Sequence, residues 1–578
     1  MNNSNAPIET RIFHGPNIVV PFKAIVVDFE DRLIGGDGTV SSKKLADLKK
    51  IIPETFFKGI ENHDGWEKVP GSAAIDAFQF FLDCFINLNI KNKTYIDVSK
   101  LTDGRHRIVT AFYYADETLN SIDLSFQITS FLTATNNRSL FAHKNIFENK
   151  LNALVASMKP NIISDFLEFS KKHKIPTYHA GYTKFHFILG QGTKGIVYNF
   201  ASNEFDSLYG YYLQKNKKYT HEYLKKLGIP VADQIVVKTM EQCLEAVKNI
   251  GFPVVIKPLS EGQGRGVSVN ICNLEQAKKA FLNANKYDAR TTLVEKFIEG
   301  DVYRITLSQG NLNTVYEMIP AFVIGNGKDT ISGLMQTENK FRKKERAKGL
   351  SYIDLVIDDS VISELANNNM DENTVLKDGQ KVFLRRTSNT ASGGTYRLLD
   401  DDDAHPDVRE LMLDLPKLFR LDNVGIDYVT TDISKSWREN GAIIEVNAFP
   451  SVENFMIENI FINHFGEELD CRIKSKLIIS NQDQYVVGEI QHKTGFVSAN
   501  STIFKGGELA LNNATIYERC LALMLNKTCE GITVKMTEQE IDHFGLPLDY
   551  FDECILDDTV SEDTAKWIEP FVGQISKQ

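Results

Sequence analysis

Three oxygen-bearing side chains near the C-terminal third of this sequence, and a set of cations upstream of them, carry most of its legible chemistry. Asp427 stands in GIDYVTTDI, and Glu445 and Asn447 stand in GAIIEVNAFPS, two strand-like runs. Residues two apart on a strand project from one face, so Glu445 and Asn447 point together. Hard oxygen ligands of this kind suit Mg²⁺ shared with substrate phosphates. An acid inside AIIEVN is costly to bury without a compensating cation; the competing reading is a structural carboxylate. Upstream, VVIKPLSEGQGRGVSV sets Lys257 before Gly262, Gly264 and Gly266, with Arg265 among them. Closely spaced glycines let backbone amides approach phosphate oxygens and a lysine adds a point charge, although a Gly-rich hairpin is also a common structural turn. VEKFIEG holds Glu295, Lys296, Phe297 and Ile298, whose backbone could bond an adenine edge; alone, it reads merely as a strand end with exposed acids. FLRRTSNTASGGTY contributes Arg385, Arg386, Ser392, Gly393 and Gly394. Arginine offers a planar fork of donors to carboxylate or phosphate, and Gly-Gly permits close approach, while the alternative is a surface turn.

These residues need elements to hold them. From Tyr219 to Gly300 the text alternates helix and strand (HEYLKKLG, DQIVV, MEQCLEAVKNIG, FPVVIKPL, LEQAKKAFLNANK, TTLVEKFI), with Gly228 and Gly251 where helix C-caps belong. Such alternation predicts helices packed on a sheet. Before it, strand-like AIVVDFEDRLI and RIVTAFYYA mix with the helical AIDAFQFFLDCFINL, which predicts a separate α+β domain over residues 1–160. A middle region over 161–480 opens on the helix ISDFLEFSKKHKI and contains a lid at about 219–305, and a tail over 481–578 offers no catalytic motif. The basic run ENKFRKKERAK, Glu338 to Lys348, reads as a solvated face or as a contact for an anionic substrate.

The bulk properties exclude several classes. A chain of 578 residues predicts roughly three or four domains. With 42% apolar and 24% charged residues the composition is globular, and no apolar run reaches the roughly 18 residues of a membrane span. A net charge of -11 speaks against a nucleic-acid partner. Seven cysteines without a CxxC pair predict reduced thiols, with no disulfide and no zinc. No basic and apolar leader is visible at the N-terminus, so the expected address is cytoplasmic.

The order lysine, lysine with Gly-rich loop, strand with EKFI, arginine loop, Asp, then Glu-x-Asn resembles the ATP-grasp superfamily. Neighbouring text, RIFHGPNIVVPF, LGQGTKGIVYNFASNEFDSLYGYYLQKNKKYTHEYLKKLGIPVA, EKFIEGDVYRITL and IPAFVIGNGKDTISGL, narrows the likeness to the cyanophycin synthetase family. It runs from about residue 8 to about 460. The resemblance implies an α/β (α+β) chain with an N-terminal α+β domain, an ATP-grasp domain with a lid, and a small C-terminal remnant of a Mur-ligase-like domain. The tail TGFVSANSTIFKGGELALNNATIYERCLALML carries the last likeness, and no GxxxxGK[ST] phosphate loop occurs in the chain. By position, the resemblance gives ATP phosphates to Lys217 and Lys257, adenine to Glu295 through Ile298, Mg²⁺ to Asp427, Glu445 and Asn447, and the acyl phosphate to Arg304, Arg385 and Ser392–Gly394. The sequence departs from the family at Gln263, where a histidine is expected, and at Val302, where a ribose-binding acid is expected, leaving Asp301 as substitute. It departs again at Ala391 and Ser451, in place of a serine and a glycine. The implied activity is ATP- and Mg²⁺-dependent ligation of a carboxylate to an amine, extending a peptide primer by amino acids or dipeptides in a dimer or tetramer. The alternatives are a short-peptide ligase and an inactive nucleotide-binding partner of a full-length synthetase.

Overall fold

A computed structural model describes residues 9–34, 39–48, 73–87, 94–112, 115–134, 140–157, 161–179, 185–259, 265–288, 290–346, 352–388, 390–448, 450, 452, 454–482 and 491–578. The chain divides into two compact units, Met1–Val197 with Asp470–Gln578, and Tyr198–Leu469. Residues 161–197 and 470–480, which the sequence reading counted with the middle region, belong to the first unit.

In the first unit, strands Glu9–Phe13, Ala24–Phe29, His106–Ala111 and Ile96–Lys100 form a four-stranded antiparallel sheet in that order. Every residue of AIVVDF is buried because both faces are covered. Ile25, Val27 and Phe29 pack on helices Ala74–Ile86 and Ala115–Thr133, while Ala24 and Val26 pack with Phe13 and Val109. Asp28 survives in that core because Arg107 grips both carboxylate oxygens at 2.7 Å, which holds its carboxyl below the usual range. The tail, together with strand Lys474–Ile479 before it, builds a seven-stranded sheet, in which Thr494–Val497, Gly531–Met536, Lys474–Ile479, Phe551–Leu556 and Val572–Lys577 run parallel.

The second unit carries the site. Helix α1 (Lys217–Lys226) starts at Asn216, whose side chain accepts from the Tyr219 amide at 3.2 Å. The lid sheet contains β1 (Gln234–Val237), β2 (Val254–Pro258), β3 (Ser268–Ile271) and β4 (Thr292–Lys296), in the order β3, β2, β4, β1. Helices α2 (Met240–Ile250) and α3 (Leu274–Asn285) bury Cys243, Val247, Ala277 and Phe281 against it. Gly228 and Gly251 adopt φ of 71° and 78°, the left-handed caps that their positions predicted. The base is a five-stranded antiparallel sheet ordered β7, β6, β5, β8, β9. These strands are β5 (Asp301–Ser308), β6 (Asn311–Ile319), β7 (Thr395–Leu399), β8 (Val424–Thr430) and β9 (Ala442–Asn447). Helices α4 (Ile331–Arg346) and α5 (Asp359–Asn367) close on a small core with Leu355 and Leu384. No helix among the described residues is long and apolar enough to cross a membrane.

Candidate functional site

Lid and base together line a cleft of about 950 Å³, a size that suits a nucleotide. Register brings its charges together. On the base, Arg304 of β5 faces Asp427 of β8, and Asp427 in turn faces Glu445 of β9, with Asn447 opposite Gly425. On the lid, Lys257 of β2 and Glu295 of β4 pair at 2.5 Å. Lys217, at the start of α1, lies 3.8 Å from Glu445. Arg304 grips both Asp427 oxygens, the Nη2 to Oδ2 bond at 3.1 Å. Gly425 packs closely here, where a Cβ would sit 3.0 Å from the Pro450 Cβ.

Burial and the Arg304 charge act on Asp427 in opposite directions. Burial pushes the Asp427 carboxyl up, Arg304 pulls it back, and the neighbouring Glu445 charge adds to the rise. Two carboxylates opposed across neighbouring strands can be stabilised together by a divalent ion. Among the described residues no three His, Cys, Asp or Glu side chains gather as a ready-made metal cage. Two carboxylates and an amide suit Mg²⁺, which takes few protein ligands and completes its shell with phosphate and water. Asp427, Glu445 and Asn447 all line the cleft, so the donor set fits that ion.

The other sequence-read residues divide. Lys217, Lys257, Glu295, Lys296, Phe297, Ile298, Asp301, Arg304 and Arg385 line the cleft. Burial and the nearby Glu317 push the Asp301 carboxyl up. Gly262 and Gly264 lie outside the described residues, as do Gln263 and Ser451, and so does the side chain of Ala391. Arg265 is exposed and, with Gly266, is not part of the cleft lining; a Cβ at Gly266 would sit 2.8 Å from Tyr287 Cδ2 and 2.9 Å from Pro258 Cγ. Backbone bonds already engage two amides of the EKFI segment: Lys296 N donates to Asp233 O at 2.8 Å and Phe297 N to Pro253 O at 3.1 Å. The Lys296 ammonium turns away to the carbonyls of Gly251 and Phe252, at 3.0 and 2.9 Å.

The arginine loop lies only partly on the cleft. Thr387, Ser388 and Thr390 line the cleft, whereas Ser392, Gly393 and Gly394 do not. Gly393 is buried at φ 92°, where a Cβ would sit 2.8 Å from Leu355 Cδ2. Arg385 donates to Asp358, the N-cap of α5, at 2.6 Å, and Arg386 pairs with Glu364 of the same helix at 2.9 Å. Both arginines are therefore held by acids rather than left open. Sequence reasoning missed Tyr316, Met318 and Tyr396, which also line the cleft. Tyr316 and Tyr396 meet at 5.3 Å. The alternation in TVYEMI signals one face, but only the pairing with β5 and β7 says that this face is the cleft.

Residues 222–308 match the ATP-grasp domain family. The cyanophycin synthetase of Synechocystis sp. is 34% identical over 265 residues, 45% of this chain and 30% of that enzyme. A glutathione biosynthesis bifunctional protein of Clostridium perfringens is 30% identical over 250 residues, 42% of this chain and 31% of that protein. Among solved structures, a bifunctional glutathione synthetase from Pasteurella multocida aligns with a TM-score of 0.40 and 17% identity, over 69% of this chain and 61% of that one. The matches thus span less than a third of either curated relative. Residues 222–308 thus match an ATP-grasp domain, and 45% of the chain is similar to the cyanophycin synthetases.

Proposed function

We propose that the cleft binds ATP with Mg²⁺ and that the chain is an ADP-forming carboxylate-amine ligase working through an acyl phosphate. One observation carries the reading: Lys217, Lys257 and Arg304 meet Glu295, Asp427 and Glu445 as paired charges in one cleft, which the ATP-grasp match over residues 222–308 partly lines. In this reading a nucleotide enters by exchanging those pairs, its phosphates drawing the two lysines. Mg²⁺, held by Asp427, Glu445 and Asn447, would neutralise phosphate charge. A substrate carboxylate oxygen attacks the γ-phosphorus, the bond to the β,γ-bridging oxygen breaks, and ADP leaves. Arg304 lies beside Asp427, where it can steady the acyl phosphate. An amine then attacks the acyl carbon, and phosphate departs with the C–N bond formed. Positioning and charge neutralisation supply the acceleration.

The substrate reading is finer: a peptide primer extended at its C-terminus by dipeptide units, in a cytoplasmic homo-oligomer. Homology to cyanophycin synthetases supports it. An ADP-release screen over amino acids, dipeptides and a peptide primer, followed by mass spectrometry, tests both levels. The expected result is ADP release that needs carboxylate and amine together, with a ladder of products spaced by the dipeptide mass. A single unrepeated addition would reject polymer extension in favour of a short-peptide ligase. Analogue binding without ADP release from any mixture would reject the ligase itself in favour of an inactive nucleotide-binding partner.

A further inference from the structure

Arg342 belongs to the basic run that reads as a solvated face, yet its side chain is only 1% exposed. The neighbouring Lys343 and Lys344 are exposed, as the run predicts. A fully buried guanidinium is tolerated only when its donors are satisfied, so its partners say what it is for. Its Nε pairs with Glu338 on the same helix at 2.9 Å, its Nη1 donates to the Ile353 carbonyl at 3.0 Å and to the Gly393 carbonyl at 2.9 Å, and it lies over the Tyr352 ring at 5.5 Å. One residue thus ties α4 to two other segments. Asn339, a turn earlier, exchanges two hydrogen bonds with the Leu355 backbone, at 2.9 and 2.7 Å, which fixes the first segment. Gly393, in the second, packs without a Cβ on the Leu355 side chain. From that anchored turn the chain runs back through Thr390, Ser388 and Thr387 to Arg385, all of them on the cleft wall.

We infer that Arg342 is a positioning residue, which sets the arginine loop 385–394 against the cleft by holding the Gly393 carbonyl from behind. The inference rests on the ligase reading for its kinetic consequence and on geometry alone for its structural one. Tyr396, just past the loop, meets Tyr316 on the same cleft wall, and the loop contributes no strand to the lid sheet, so its displacement should harm the carboxylate or amine substrate more than ATP.

Two variants, Arg342→Lys and Arg342→Met, test this by amide hydrogen exchange and by kinetics in the full chain. Exchange should quicken at least tenfold in segments 352–358 and 385–395 while the lid, 254–298, keeps its wild-type rate. Affinity for a non-hydrolysable ATP analogue should stay within twofold, and the KM of the carboxylate or amine substrate should rise at least tenfold. Lys, which keeps the charge and one donor, should recover part of both losses relative to Met. Unchanged exchange in 385–395, or equal quickening of lid and loop, overturns the inference. Should Met prevent folding, the Lys variant decides alone on the same criteria. The exchange arm decides even if the chain turns over no ATP, so failure of the ligase reading and failure of this inference remain distinguishable.

Discussion

Lys257 and Glu445 sit in ion pairs of different burial, and that difference separates two effects of mutating them. Removing either should lower ATP turnover by at least about 100-fold, the order seen when phosphate or metal neutralisation is lost. The side chains of Lys257 and Glu295 are 10% and 12% exposed, so Lys257→Ala leaves an uncompensated carboxylate and should also lower the melting temperature by several degrees. Glu445→Gln relaxes only a 3.8 Å contact with the partly exposed Lys217 and should melt near wild type. Turnover assays and thermal scans of both variants check this; near-normal turnover in either contradicts the site. The acids and lysines were legible because charged types inside apolar strands stand out in sequence. Arg342 was not, because a basic residue in a basic run is ordinarily solvated, and only the packing of three segments around it reveals its burial.

At the scale of elements, the turn joining lid to base depends on Gly300. Its φ is 142°, and a Cβ there would lie 2.3 Å from the carbonyl carbon of Thr430 and 2.4 Å from its oxygen. Gly300→Ala should therefore cost on the order of 2–3 kcal/mol. Gly228 differs, with φ 71° and open space around it, so Gly228→Ala should cost only about 1 kcal/mol. Urea unfolding of the two variants compares them, and equal costs would show that the Thr430 contact does not matter. Strand β9 shows where pattern reading stops. AIIEVN reads as a regular strand, but the pairing shifts between Asp427 and Tyr428, so that Ile444 bulges out, 39% exposed, into the cleft lining. A bulge is set by the partner strand, and one strand's sequence does not declare it.

Across the first unit, the N-terminal segment and the C-terminal tail meet where His14 stacks on Tyr517, ring centroids 3.6 Å apart. Burial, helped by the Lys23 charge and opposed by Glu518, pushes the His14 imidazole down to about 4. The unfolded chain takes up this proton near pH 6.5 and the folded chain does not until about pH 4. Stability is therefore present above the unfolded value and falls as pH drops through that window, by on the order of 2–3 kcal/mol. Urea midpoints at pH 7.5 and 5 should diverge for the wild type and much less for His14→Phe. The same divergence in the variant would assign the pH dependence to other groups.

Composition, the helix and strand periods, the cap glycines and the order of charged motifs were determined by sequence alone, because each is a local preference that neighbours within one or two turns decide. They were enough to place Lys257, Glu295, Asp427, Glu445 and Asn447 as candidates before any fold was known. Tertiary structure alone decided which of those candidates face one another, that the amides of Lys296 and Phe297 are engaged by backbone carbonyls, and that Ser392–Gly394 lie behind the cleft wall. It also decided that residues 470–578 pack with the N-terminal region, far away in sequence. The reason is register: a residue's type says what it can bond, but cross-strand pairing and the burial of distant apolar surface determine which partner it meets.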